Sequence, residues 1–221
     1  MFNSVLSIKV WNMLTRNAEL NGPQEEGNFD QRLPVLSRRS LLLVIDVQKG
    51  FDDPVWGSRS NPFAERNISL LLAHWRKFGL PIIFFKHNSK NPLSPLYPRN
   101  PGNSIKAEVA PKEGEIVMEK NVNSCFIGTP LNEWLISNGI DTIFMVGLTA
   151  EHCVSTTARM SGNMGYRTIV VQDATASFES HDLNGMAIPP DTVHEISLAT
   201  IRGEFAQILK TAEVLLSPMD I

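Results

Sequence analysis

The chain has 221 residues, 43% of them hydrophobic, and a formal net charge of −3. That is enough apolar material for a sizeable core, with no basic excess to hold a nucleic acid or an anionic membrane surface. Two cysteines make no disulfide framework, so a reducing compartment and a cytoplasmic location are expected; no apolar run approaches the ~20 residues that span a bilayer.

Residues 1–40 read as an arm, separate from a domain at 41–221. Phe2, Val5, Leu6, Ile8, Val10, Trp11 and Leu14 have the spacing of a short amphipathic helix, and 21–28 reads as loop. The start lacks a basic region and a cleavage site, so no secretory signal is expected. The arm is expected to pack on the body or on a neighbouring subunit.

The run Leu41-Leu42-Leu43-Val44-Ile45 is continuous and ends in Asp46. Such runs suit strands of a parallel sheet, buried on both faces. The loop that follows carries Gln48, Phe51, Trp56, Arg59 and Asn61. Ile68, Leu71, Leu72 and Trp75 predict a helix over 64–78, stopped by Gly79. A second strand, 81–87, ends in His87. Residues 88–111 form a long proline-rich loop around Tyr97, and loops of that length in compact domains are often functional. A third strand, 115–120, ends in Lys120, and Asn123 and Cys125 lead to a helix at 130–138. A fourth strand starts at Asp141 and closes at Gly147, after which Cys153 opens a helix. A fifth strand, 168–172, delivers Asp173 and Thr175 to the rim of a site. Then come a helix at 193–205, a sixth strand at 207–210 and a closing element at 212–216.

Strand and helix alternate throughout. The fold class is therefore α/β: three α/β/α layers, with a six-stranded, mostly parallel Rossmann-like sheet and helices on both faces. Cys153 alone supports two readings equally, a thiol activated by a helix N-terminus or a small packed hydrophobe. Asp46 and Lys120 alter that balance. All three residues follow the carboxyl ends of strands, and those ends share one edge of a parallel sheet, where open α/β sheets bind their ligands.

Three segments carry a resemblance. Leu43-Val44-Ile45-Asp46-Val47-Gln48, the run Glu119-Lys120-Asn121-Val122-Asn123-Ser124-Cys125-Phe126 and Gly147-Leu148-Thr149-Ala150-Glu151-His152-Cys153-Val154 resemble the signatures of the isochorismatase-like cysteine hydrolases. This superfamily includes nicotinamidases and N-carbamoylsarcosine amidohydrolases. The resemblance runs from about residue 41 to 216. It implies an Asp46–Lys120–Cys153 catalytic triad, a cis peptide between Leu148 and Thr149, and an oxyanion hole built from the backbone N–H groups of Thr149 and Cys153. It also implies a small-molecule substrate and a homo-oligomer, dimeric or tetrameric.

The chain departs from nicotinamidases in having no Asp-x-His pair; His74 and His87 stand alone, so neither a catalytic metal nor any other cofactor is expected. In the expected mechanism Asp46 takes the Cys153 proton, while Lys120 and the helix start lower the thiol pKa. Candidate substrate contacts are Gln48, Phe51, Trp56, Arg59, Asn61, His87, Tyr97 and Asn123, with Arg59 suited to a substrate carboxylate. Cys125 reads as packed, His152 as pointing away from Asp46, and His181 as solvent-facing. The leading expectation is a metal-independent hydrolase of a small C–N bond working through a thioester. The alternatives are cleavage of the isochorismate vinyl ether, to a dihydroxy-dihydrobenzoate and pyruvate, and a non-catalytic or redox-sensing scaffold.

Overall fold

The structure is a computed structural model describing residues 32–221. The helix expected within residues 2–14 and the loop at 21–28 lie outside the described residues. The body begins before residue 41: β1 (Leu36–Ser37) pairs in parallel with β10 (Met219–Asp220), and Leu36 is wholly buried.

The central sheet holds β2 (Ser40–Ile45), β3 (Ile82–His87), β4 (Ile116–Lys120), β5 (Thr142–Leu148), β6 (Arg167–Ala176) and β9 (Gln207–Leu209). Their spatial order is β4-β3-β2-β5-β6-β9, and every pair is parallel. The long apolar run of β2 follows from this placement. Leu41, Leu43 and Ile45 enter one core, while Leu42 and Val44 enter the other. Side chains alternate across a strand, so a strand covered on both sides must be apolar at every position.

On the first face lie α2 (Leu131–Ser137) and α3 (Ser155–Asn163), whose Leu131, Leu135 and Ala158 join Ile83, Phe85, Ile143 and Met145. On the second lie α1 (Ala64–Lys77) and α5 (Thr211–Leu215). There Ile68, Leu71, Leu72, Trp75 and Val214 pack on Phe84, Phe144, Val146 and Ile169. Trp75 also donates its indole N–H to the Ser40 carbonyl at 3.1 Å, so its polar edge is satisfied inside the core.

The chain runs outward from β2 to β4 on one side and from β5 to β9 on the other, so the order reverses between β2 and β5. A crevice opens at such a switch point. Gly147 makes the close approach there possible. It has φ 123°, and a Cβ would overlap the Ile45 carbonyl. The β5–β6 register shifts between Met145 and Gly147, which marks a bulge and re-aims the strand end.

Two expected boundaries change. The strand expected at 168–172 continues to Ala176, because after the bulge Gly147 and Leu148 pair with Thr175 and Ala176. The helix expected at 193–205 is α4 (Pro190–Ala199). It starts earlier, with proline in its first turn, and ends where the Gly203 N–H turns back onto the Ala206 carbonyl to feed β9. Between β6 and α4 a small hairpin, β7 (Ser180–His181) with β8 (Ala187–Ile188), stands beside the crevice. Among the described residues no helix is long and apolar enough to cross a membrane.

Candidate active site

Four neighbouring strands each bring a polar side chain to the carboxyl edge. In spatial order these are Lys120 from β4, His87 from β3, Asp46 after β2 and Cys153 after β5. His87 and Lys120 are register partners across β3 and β4. Asp46 has φ 51°, an unusual region for a residue with a Cβ, and one that clusters at functional sites. The turn is fixed by the Asp46 N–H donating to the Phe85 carbonyl at 3.0 Å and the Asp46 carbonyl accepting from the Gln48 N–H at 2.9 Å.

Lys120 is the hub. Its Nζ lies 2.5 Å from Asp46 Oδ2, 3.3 Å from Cys153 Sγ and 3.4 Å from His87 Nδ1. An ammonium has three N–H donors, and these three neighbours engage all of them. The Asp46 and Lys120 side chains are both fully buried. Asp46 Oδ1 has no hydrogen-bond partner among the described atoms, so its lone pairs are free to accept a proton.

The electrostatics of the thiol reverse the expectation from sequence. Burial, and then the Asp46 charge, push the Cys153 thiol well above the ordinary cysteine value, with Lys120 opposing. The helix-start argument fails because Cys153 lies in a π-helical turn, Ala150–Val154, ahead of α3 and largely out of water. Burial also raises the Asp46 carboxyl, against the pull of Lys120. For Lys120, burial acts to lower the value, but Asp46 and then Cys153 outweigh it and hold the ammonium charged. His87 is pushed down by burial and then by Lys120. Burial thus works against a thiolate and an imidazolium here, while the close Asp46–Lys120 contact favours an ion pair, a combination that would carry no net buried charge.

Asp46, His87 and Cys153 each offer a ligand atom, all within 4.8 Å of one another. The point they surround is taken by the Lys120 ammonium. A second cation there would face that charge at close range, so the set does not fit a metal.

The Leu148–Thr149 peptide is cis. Beyond it Thr149 and Cys153 line a cavity of about 790 Å³. Phe51, Trp56, His87 and Asn123 line it as well, with Asn123 Oδ1 3.8 Å from Cys153 Sγ. Four other expected contacts lie elsewhere. Gln48 is fully buried and bolts the long loop down, donating to the Asn103 carbonyl at 2.8 Å and accepting from the His87 N–H at 2.8 Å. Arg59 forms a bidentate pair with Glu65 at 2.7 and 2.8 Å. Asn61 donates to the Thr175 carbonyl at 2.7 Å. Tyr97 gives way to its neighbour Leu96, which lines the wall.

Asp173 and Thr175 do not shape the rim either. Asp173 accepts from the Thr211 N–H and hydroxyl at the start of α5, and Thr175 meets His194 at 2.9 Å. Cys125 is fully buried, as its spacing implied, and its thiol is pushed up to about 12 by burial. His181 is exposed yet forms part of the cavity wall, as does His152, whose Nδ1 lies 3.1 Å from Thr149 Oγ1. Sequence reasoning passed over Glu151, Phe178, Glu179 and the α4 residues Val193, Ile196 and Ser197 in the wall. Glu151 had a legible signal, two positions before the cysteine. The others depend on how the β7–β8 hairpin and α4 fold back.

Comparison with known proteins agrees with this architecture. The isochorismatase domain family matches residues 40–213. The isochorismatase family protein YrdC of Bacillus subtilis is 47% identical over 180 residues, covering 81% of this chain and 96% of that one. N-carbamoylsarcosine amidase of an Arthrobacter species is 39% identical, covering 67% of this chain and 63% of its own. An isochorismatase-family crystal structure from Chromobacterium violaceum superposes with a TM-score of 0.81 at 38% identity, covering 85% of this chain and 97% of that one.

Proposed function

The chain belongs to the isochorismatase family of hydrolases, and from that premise we propose that it is a metal-independent cysteine amidohydrolase acting on a small molecule. The observation that carries this reading is Asp46, a buried carboxylate whose Oδ1 has no hydrogen-bond partner among the described atoms and which brings a carboxylate oxygen within 4.8 Å of the Cys153 sulfur. Asp46 Oδ1 takes the thiol proton as Sγ attacks the amide carbonyl carbon. The raised Asp46 carboxyl makes it a stronger base for this transfer. Lys120 keeps its charge and holds both partners in register. The N–H groups of Thr149 and Cys153 receive the developing oxyanion, at about 3–4 kcal/mol for a well-placed donor. Protonated Asp46 then gives its proton to the leaving nitrogen, and a thioester remains on Sγ. Asp46 deprotonates a water, which attacks the thioester carbonyl; the thiol is restored and the acid released.

Similarity to an enzyme named N-carbamoylsarcosine amidase supports C–N chemistry. Isochorismate is disfavoured by charge. It carries two carboxylates, while the cavity wall contributes Glu151 and Glu179 and, among the described residues, no lysine or arginine.

The test is ammonia release from a panel of primary amides by the wild type and Cys153→Ser. Loss of a nucleophile that works as a unit with its base is expected to cost at least ~10³-fold in turnover, with unfolding unchanged. An intact-mass adduct on Cys153 of the wild type should accompany turnover. Near-native ammonia release by the serine variant would rule out the covalent route.

A further inference from the structure

The cavity wall beside Cys153 combines three aromatic rings with two carboxylates. Phe51, Trp56 and Phe178 form a cluster, with ring centroids 5.2 Å apart for Phe51–Trp56, 5.8 Å for Phe51–Phe178 and 5.9 Å for Trp56–Phe178. All three line the cavity. Trp56 donates its indole N–H to the Gly50 carbonyl at 2.8 Å, which fixes the ring.

The carboxylates adjoin this cluster. Glu151 Oε1 lies 3.5 Å from the Phe178 backbone nitrogen. Glu151 Oε2 is sealed from solvent and has no hydrogen-bond partner among the described atoms. On the other side of the cluster Glu179 leans over Gly57, the residue after Trp56: a Cβ built at Gly57 would lie 3.6 Å from Glu179 Oε1. A buried carboxylate oxygen without a partner is costly, and the groups near it do not answer its charge. His194 faces it electrostatically but is pushed down by burial. His152 Nδ1 is 3.7 Å from Oε1 and is shared with the Thr149 hydroxyl. Arg59 and Lys106, the cations that a loop so near might have supplied, are both spent on Glu65.

We propose that this wall is a subsite for a cationic group, so that the substrate of the reaction is a small amide that also bears an ammonium or comparable cation. Aromatic faces attract cations through their quadrupoles, and rings flanked by carboxylates recognise alkylated ammonium ions. Glu151 and Cys153 line the same cavity, so one small molecule can present the cation and the scissile carbonyl together. The inference rests on the amidohydrolase reading for its chemistry, but its recognition element can be tested without turnover.

The experiment is a calorimetric titration of the full-length enzyme with choline and with 3,3-dimethylbutan-1-ol, its uncharged isostere. Glu151→Gln and Glu179→Gln are titrated in parallel, and thermal unfolding is recorded for each. Glu179 is exposed, so its variant keeps the test open if the Glu151 variant unfolds. The wild type should bind the cation about tenfold or more tightly than the isostere, and each glutamine variant should shrink that ratio. Ammonia release from trimethylammonioacetamide and from 3,3-dimethylbutanamide should show the same preference in kcat/KM. Equal binding of charged and neutral probes, or a preference that survives in both variants, overturns the subsite. Preferential choline binding without hydrolysis of any amide would leave the subsite standing and overturn the amidohydrolase reading instead.

Discussion

Replacing Lys120 by methionine would isolate the role of the central ammonium. The Asp46–Lys120 pair is 2.5 Å apart with both side chains fully buried. At an effective dielectric of ~20 the gross attraction is about 7 kcal/mol, most of it offset by the cost of taking both ions out of water. Lys120→Met leaves the methylene stem but strands Asp46, and removing one partner of a buried pair costs about 3–5 kcal/mol. The variant can escape by protonating Asp46, whose carboxyl is already raised by burial. A carboxyl with a raised folded-state pKa is not penalised below its unfolded value of about 4; the penalty grows as pH rises through the folded value. Urea unfolding at pH 5 and pH 8 measures this. The full loss is expected at pH 8, with a clearly smaller loss at pH 5. The double variant Asp46→Asn/Lys120→Met should be less unstable than the sum of the singles, because it buries no charge. An equal loss at both pH values, or an additive cycle, would refute the ion-pair account.

Two further outcomes follow from the same electrostatics. Because burial raises the Cys153 thiol, iodoacetamide should modify it slowly in the resting enzyme at pH 7, with peptide mass spectrometry as readout; rapid labelling at that pH would show a resting thiolate. Away from the site, burial acts to raise Glu65, but hydrogen bonds from Arg59 and Lys106 outweigh it and hold the carboxyl at about 2. Its contribution is present above the unfolded value near 4.5 and is lost as pH falls toward 2. The stability gap between wild type and Glu65→Gln should therefore narrow on acidification from pH 6 to pH 3, and a constant gap in thermal unfolding would contradict this.

The sheet and the convergence of Asp46, Lys120 and Cys153 were legible because they depend on period and order. Continuous apolar runs mark strands covered on both faces, and residues just past such strands must share an edge. The electrostatic state of the thiol was not legible. A lone Cys153 near a helix start reads as activated, whereas its burial is a property of the closed fold. Arg59 misled for a related reason. A cation in a loop leaving β2 looks available, but Glu65, in the first turn of α1, captures it. The carboxylate wall was hidden because Glu179 and Phe178 owe their position to chain that returns from β6 to the loop after β2, where Phe178 bridges to Arg59.

The triad depends on how β4 is seated at the sheet's edge. In β4, Met118 and Lys120 face inward while Val117 and Glu119 face out. Slipping this strand by one residue would exchange those sets. Glu119 would then stand beside Asp46, so that two acids would meet where an ammonium now mediates. Edge strands have a single neighbour to hold them in place, and this one is secured at both ends. Arg76 grips Glu115 just before it at 2.7 and 2.8 Å, and the Asn88 N–H donates to the Lys120 carbonyl at 2.7 Å. The sign of the charge next to the nucleophile is thus set partly by an arginine on α1 at the far end of the strand, a residue that touches no reacting group.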